Sequence, residues 1–319
     1  MIVIAEAGEI ARAARLLAGG GLVAFPTETV YGLGALATDT EAVARIYRAK
    51  GRPSTNPLIV HVPDVDSARA LAGDGWNNVA EALAREFWPG PLTLVLPRAS
   101  ALAEAVTAGG PTMAVRVPDH PVARELLRAC GQPIVAPSAN SSGRLSPTLA
   151  EHVWADLGDR VDLILDGGPC VAGVESTVVD VTVSPPRLLR PGPISPAKLE
   201  RVLGGFAVGP GTEAVSRSPG LETRHYAPRT RLETAGSATA AMSRVEEVRA
   251  GGSRALWVSF GIPGADMVLP GDPAGAEQAL FAALHRLDLL GLDLMVVVLP
   301  PDEPRWWAVR DRLTRASAS

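Results

Sequence analysis

The chain has 319 residues, 47% apolar and 20% charged, an ordinary globular mixture with enough length for two domains and a sizeable core. Its formal net charge of −4 argues against a general polyanion binder, although a local basic patch stays compatible with one. Cys130 and Cys170 are too few for a disulfide framework and show no C-x-x-C or histidine spacing, so reduced thiols in a cytoplasm are expected. Residues 1–6 lack the cationic start and apolar core of a signal peptide, and no uncharged apolar run approaches about 18 residues. A soluble, intracellular protein without membrane contact is the expectation.

In chain order, helical spacing over 8–19 leads into a strand-like run at 22–25. A helix at 39–49, a strand at 58–62 and helices at 64–72 and 77–87 follow. Next come strands at 92–97 and 114–117, a helix at 120–130, a strand at 134–136 and a helix at 149–157. Strands at 162–166, 174–182 and 187–190 and a helix at 195–203 complete this part. Such alternation predicts a mixed α/β sheet covered by helices. Between 207 and 230 the order is lost: Gly209-Pro210-Gly211, Ser218-Pro219-Gly220 and Ala227-Pro228 interrupt any apolar period, which reads as a linker or a lid. A helix at 237–250, a strand at 254–260, a long helix at 274–290, a strand at 294–299 and a terminal helix from Arg305 form a smaller α/β unit. Trp306 and Trp307 on that helix are expected in the core, with an interface as the alternative. The predicted division is 1–206, 207–230 and 231–319, with no internal repeat.

Several familiar signals fail on context. Gly32-Leu33-Gly34-Ala35-Leu36-Ala37 fits G-x-G-x-x-A, but it does not directly follow its strand and no acidic residue stands about twenty positions on. No P-loop is present, Ser138 lacks a nucleophile elbow, and the five histidines at 61, 120, 152, 225 and 285 show no metal-ligand spacing. No metal site is expected.

What remains is a set of polar loops at strand ends, where open α/β sheets place their ligands. Pro26 stops the run 22–25 and delivers Thr27, Glu28 and Thr29. Lys50, one of two lysines among 30 basic residues, stands with Arg45, Arg48 and Arg52 at a helix end. These charges either complement the helix dipole or, in a loop stiffened by Pro53 and Asn56-Pro57, meet a triphosphate. His61 lies in an apolar strand, as a core histidine or a ligand contact. Arg116 lies in another and needs an anion, internal or from a ligand. Residues 134–148 break at Pro137 into a loop holding Ser138, Asn140, Ser141, Ser142 and Ser146, more hydroxyls than one helix cap requires. Ser176-Thr177 and Arg190-Pro191-Gly192 mark two further strand ends.

Together these loops resemble one family. Residues 8–203 carry, in order, the PTETVYGLG, KGRPxxNPLIVH, WPGPLTLVL, AVRVP, APSANxSGxxSPT, GVESTVVD and LRPG segments of the YrdC-like module of L-threonylcarbamoyl-AMP synthases. The stretch from Ser218-Pro219-Gly220 to His225-Tyr226-Ala227-Pro228 and the trailing unit resemble the long, two-domain form, except that Glu222-Thr223 replaces a usual Lys-Tyr pair. The resemblance implies a YrdC-like twisted mixed sheet with covering helices plus a smaller Rossmann-like α/β domain.

It also implies condensation of L-threonine, bicarbonate or CO2, and ATP to L-threonylcarbamoyl-AMP and pyrophosphate. The product then feeds a tRNA threonylcarbamoyl transferase. By the same resemblance Thr29, His61, Arg116, Ala136 and Ser176 hold threonine. Arg52, Asn56, Thr112, Ser138, Ser146, Arg190 and Tyr226 hold ATP, and Lys50 and Arg52 serve the reacting phosphates. Mg2+ is expected to arrive with ATP. A double-stranded RNA or ribosome-binding module, with weak tRNA contact, is the alternative. Carbamoyl-adenylate chemistry of the hydrogenase-maturation kind is disfavoured, because two cysteines cannot supply its zinc-finger-like clusters.

Overall fold

The computed structural model describes residues 1–98, 102–209 and 225–318. The strands of the first part are β1 (Ile2–Ile4), β2 (Val23–Phe25), β3 (Gly32–Leu36), β4 (Ile59–His61), β5 (Leu92–Pro97), β6 (Thr112–Arg116), β7 (Ile134–Val135), β8 (Leu163–Asp166), β9 (Thr177–Asp180), β10 (Arg187–Arg190) and β11 (Ala207–Val208). They form one eleven-stranded mixed sheet in the order β1-β8-β2-β3-β7-β4-β6-β5-β9-β10-β11. Helices α1 (Ala7–Ala18), α2 (Thr40–Lys50), α3 (Val65–Ala72), α4 (Asn78–Phe87), α5 (Pro121–Cys130), α6 (Ala150–Leu157) and α7 (Pro196–Leu203) cover it. A large core lies under α2, α4, α6 and α7, and a smaller one under α1 and α5, so central strands are buried throughout and read as continuous apolar runs.

The second part has strands β12 (Arg231–Ala235), β13 (Ala255–Phe260), β14 (Met267–Leu269) and β15 (Leu294–Val298), all parallel in the order β12-β15-β13-β14. Helix α8 (Ala238–Ala250) lies on one face, and α9 (Pro273–Asp288) and α10 (Trp307–Ser317) lie on the other. Trp306 is buried just ahead of α10, and Trp307 is partly buried against the large core of the first part.

The ten α-helices of the described residues fall where their spacing predicts, because each carries an apolar stripe. The strands that spacing misses, β1, β3, β11, β12 and β14, are short, glycine-bearing or at an edge. The run expected at 174–182 is a strand only over Thr177–Asp180; Val174, Glu175 and Ser176 belong to the loop before it. Residues 207 and 208, expected in the linker, pair with β10. The G-x-G segment is β3, antiparallel to β2. A Cβ on Gly34 would lie 2.9 Å from the Phe25 ring, so this glycine serves strand packing.

The two parts meet through a shared core. Val30, Leu145, Val174 and Tyr226 pack in one cluster with Phe281, Leu284, Trp306 and Leu313. Gly173, at φ +72°, lets the first part touch α9: a Cβ there would lie 2.5 Å from Gln278 Cα. Cys130 and Cys170 are free thiols that burial pushes up to about 11 and about 12. Among the described residues no helix is long and apolar enough to cross a membrane.

Candidate active site

The loops after β2, α2 and β7, the loop before β9 and the C-terminal ends of β4, β6 and β10 converge on one buried cavity. Its lining includes Thr29, Arg52, His61, Arg116, Ala136, Ser138, Glu175, Ser176, Arg190, His225 and Tyr226. Sheet register explains the centre: His61 and Arg116 are partners across parallel β4 and β6, so their side chains leave the same face.

Arg116 finds the anion it needs inside the protein. Its Nη2 lies 2.7 Å from Glu28 Oε1, both groups buried, while Nη1 donates to Thr29 Oγ1 at 2.9 Å and Nε to the Gly90 carbonyl at 3.3 Å. The charges attract, but the Nη2–Oε1 contact is not aligned as a hydrogen bond, so both atoms keep that capacity. Glu28 Oε2 accepts from the Asp119 backbone at 3.1 Å. Thr27 Oγ1 shapes the turn by donating to the Val30 carbonyl at 2.7 Å, and it lies 2.8 Å from Thr29 Oγ1. His61 lines the cavity and is a satisfied core histidine as well: Nδ1 donates to the Ile59 carbonyl at 3.2 Å, which leaves Nε2 as an acceptor. Burial first, and Arg116 second, push its basicity down to about 3.

On the other side, Arg52 donates from Nε to the Asn56 carbonyl at 3.3 Å and from Nη2 to the Pro57 carbonyl at 3.1 Å. Arg190 donates from Nε to the Ser176 carbonyl at 3.0 Å and from Nη2 to Ser176 Oγ at 3.1 Å. Ser176 Oγ also lies 2.7 Å from Thr93 Oγ1. Ser146 donates to Glu175 Oε1, and Arg312 Nε donates to Glu175 Oε2 at 2.7 Å. Burial works against the Glu175 charge, yet Arg312, Arg190 and Ser146 outweigh it and hold its carboxyl below the usual range.

His225 and Tyr226 close the wall. Tyr226 is a non-glycine residue at φ +63°, a strained backbone of the kind that persists at functional sites. Its hydroxyl and His225 Nδ1 are buried without a hydrogen-bond partner, which marks donors and acceptors aimed at something other than protein. Burial first, then Arg52, lowers the His225 basicity well below the ordinary imidazole value.

Of the sequence-derived residues, Thr29, Arg52, His61, Arg116, Ala136, Ser138, Ser176, Arg190 and Tyr226 line this cavity. Asn56 and Ser146 stand one contact behind it, through Arg52 and Glu175. Thr112 begins β6, four residues from Arg116, about 13 Å along a strand, outside the lining. Lys50, expected to serve the reacting phosphates, lies outside the lining. Its ammonium is buried and donates to the Ser138 and Asn140 carbonyls, because α2 ends directly beneath that loop. Burial first and Arg52 second lower its basicity well below the usual value. Glu222 and Thr223 lie outside the described residues.

Sequence reasoning gave no role to Glu28, Glu175, His225 or Arg312. Three of these sit beside assigned residues, and that adjacency was the available signal. Arg312 had none, since Arg310, Asp311 and Arg315 around it read as a solvated helix face. Among the described residues no three His, Cys, Asp or Glu side chains cluster as a metal site.

A twisted mixed α/β sheet that gathers three arginines, hydroxyls and unmatched polar atoms into one cavity defines a small-molecule enzyme site. A family model described as "Telomere recombination", for the Sua5, YciO and YrdC proteins, matches residues 15–192, and one described as "Threonylcarbamoyl-AMP synthase, C-terminal domain" matches residues 194–318. The threonylcarbamoyl-AMP synthase of Bacillus subtilis is 44% identical over 97% of this chain and 93% of its own length. That of Pyrococcus abyssi is 41% identical over 98% and 95%. The crystal structure of P. abyssi Sua5 complexed with L-threonine superposes with a TM-score of 0.92 at 39% identity, covering 99% of this chain and 97% of that one. The chain belongs to the threonylcarbamoyl-AMP synthase family.

Proposed function

We propose that this protein condenses L-threonine, bicarbonate or CO2, and ATP into L-threonylcarbamoyl-AMP with release of pyrophosphate. In this reading it acts in the cytoplasm and hands the product to a separate transferase that completes threonylcarbamoyladenosine on tRNA. The observation that carries the reading is the cavity in which Arg52, Arg116 and Arg190 share walls with the unpartnered Tyr226 hydroxyl and His225 Nδ1. The likeness to a relative complexed with L-threonine supports it.

Threonine is held by Thr29, His61, Arg116, Ala136 and Ser176. A zwitterion suits the Arg116–Glu28 pair, whose Nη2 and Oε1 retain hydrogen-bonding capacity toward a carboxylate and an amine. The neutral His61 offers Nε2 to the side-chain hydroxyl. ATP is held by Arg52, Ser138, Arg190 and Tyr226, with Asn56 and Ser146 acting through their neighbours. The neutral amine attacks CO2: the N–C bond forms as one C=O π pair moves onto oxygen, and an N–H proton is released to solvent to leave the carbamate. A carbamate oxygen then attacks the α-phosphorus, and the bond to the bridging oxygen breaks as pyrophosphate leaves with its electron pair. Alignment and fixed cations facing the phosphoryl oxygens supply the catalysis.

Glu175 in the cavity wall and Glu28 behind Arg116 are each engaged by an arginine, so among the described residues the cavity offers Mg2+ no ready cage. The ion enters on the triphosphate as part of the substrate. The same reading divides the chain into a module over 1–206, a linker over 207–230 whose residues 225 and 226 close the cavity, and a C-terminal unit over 231–319. The test is pyrophosphate release with ATP, threonine and bicarbonate each omitted in turn. All three are expected to be required, and release without threonine would sink the assignment.

A further inference from the structure

The C-terminal part does more than hold a linker. Arg312 of α10 heads the fully buried side chains by size, at 1% exposure, and its guanidinium reaches out of its own unit into the cavity wall. Nε donates to Glu175 Oε2 at 2.7 Å and Nη2 to the Glu175 carbonyl at 3.3 Å. Nη1 donates to the Pro191 carbonyl at 2.9 Å and to Asp311 Oδ2 at 2.8 Å. The guanidinium carbon also lies 5.1 Å from the centre of the Tyr226 ring, within cation–π range. One planar group therefore ties together the loop before β9, the loop after β10 and the aromatic wall.

We propose that Arg312 is a positioning residue for the nucleotide half of the site: it neutralises and fixes Glu175 and backs the ring of Tyr226, so the C-terminal domain completes the ATP pocket. This rests on the threonylcarbamoyl-AMP synthase reading above. Glu175 lines the cavity at 6% exposure. Stripped of Arg312, it would present a buried carboxylate where a triphosphate has to enter, and like charges at close range repel strongly away from water. Ser146, which donates to Glu175, and Tyr226 would lose their anchors together. The threonine half is held independently, through Arg116, Glu28 and Thr29, none of which touches Arg312.

The test uses the full chain and pyrophosphate-release kinetics, with ATP and threonine varied in turn. If the wild type releases no pyrophosphate with all three substrates, the functional reading falls before any variant is examined. With an active wild type, Arg312→Met is expected to raise the KM for ATP about tenfold or more, the scale of a lost charged hydrogen bond, with the KM for threonine within about twofold. Adding Glu175→Gln to Arg312→Met removes the bare carboxylate and is expected to bring the KM for ATP back to within about threefold of wild type. Arg312→Lys keeps the charge without the fork, and should raise the KM for ATP by an intermediate amount. A purely structural arginine would weaken both substrates alike, and equal changes in the two KM values overturn the proposal. So does failure of the double variant to recover. If Arg312→Met does not fold, Arg312→Lys decides: a selective rise in KM for ATP supports the role, and an unchanged value overturns it.

Discussion

Arg116 shows how far a single residue can be read before folding. A guanidinium in an apolar strand demands an anion, and composition says nothing about which one. The fold answers with Glu28, delivered by the loop after β2, while leaving Nη2 and Oε1 able to bind further partners. The pair is thus compensated and still competent to receive a zwitterion. Arg116→Met would leave Glu28 as an uncompensated buried carboxylate beside the threonine carboxylate. The expected outcome is a rise of about 10²-fold in the KM for threonine, the upper end for one charged hydrogen-bonding group, with the KM for ATP within about threefold. Steady-state pyrophosphate release at saturating ATP measures it, and an unchanged KM for threonine would remove Arg116 from the amino-acid subsite.

Among elements, α2 and the loop after β7 show a structural role that only packing reveals. Lysine at a helix end beside Arg45, Arg48 and Arg52 reads as a complement to the helix dipole or as a phosphate ligand, because local sequence cannot reveal what packs against the helix end. What lies there is the hydroxyl-rich loop, whose Ser138 and Asn140 carbonyls take the Lys50 ammonium. Lys50→Met should therefore lower unfolding free energy by about 2 kcal/mol, the cost of leaving buried acceptors unmatched, and weaken ATP through a displaced Ser138. Chemical denaturation paired with kinetics distinguishes the roles: a fall in kcat at unchanged stability would assign Lys50 to the phosphates instead. Strand β3 carries the same lesson, since its G-x-G spacing records the approach of Phe25 and no dinucleotide.

Across the whole molecule, the seam between the two parts is both core and site. Besides Arg312, it contains His152 of α6 stacked on His285 of α9, ring centres 3.8 Å apart. His285 Nε2 donates to the Ser146 carbonyl at 3.1 Å, and the Thr148 amide donates to His152 Nδ1 at 3.3 Å. Arg144, Arg229, Asp156 and Asp288 line the same seam cavity. Burial first, and His285 second, push the basicity of His152 down to about 3, and burial lowers His285 too. Both groups thus bind protons more tightly unfolded, at about pH 6.5, than folded. Their stabilising effect is complete above that value and is lost as pH falls toward about 3. Thermal unfolding midpoints should decline between about pH 6.5 and 4, and less steeply in His152→Phe, which keeps a ring but takes no proton. An identical slope in the variant would dismiss the stacked pair as a source of acid sensitivity.

Helix positions, the alternation of elements and most cavity residues were legible because they depend on near neighbours: apolar period, proline stops and hydroxyl clusters at strand ends. Short strands such as β3 and β14 were not, since their pairing depends on partners elsewhere in the sheet. Nor were the charges that complete the site. Glu28 for Arg116, Arg312 for Glu175 and two loop carbonyls for Lys50 are selected by three-dimensional proximity in a low-dielectric interior, where an ion's partner is whichever group the fold brings within about 3 Å.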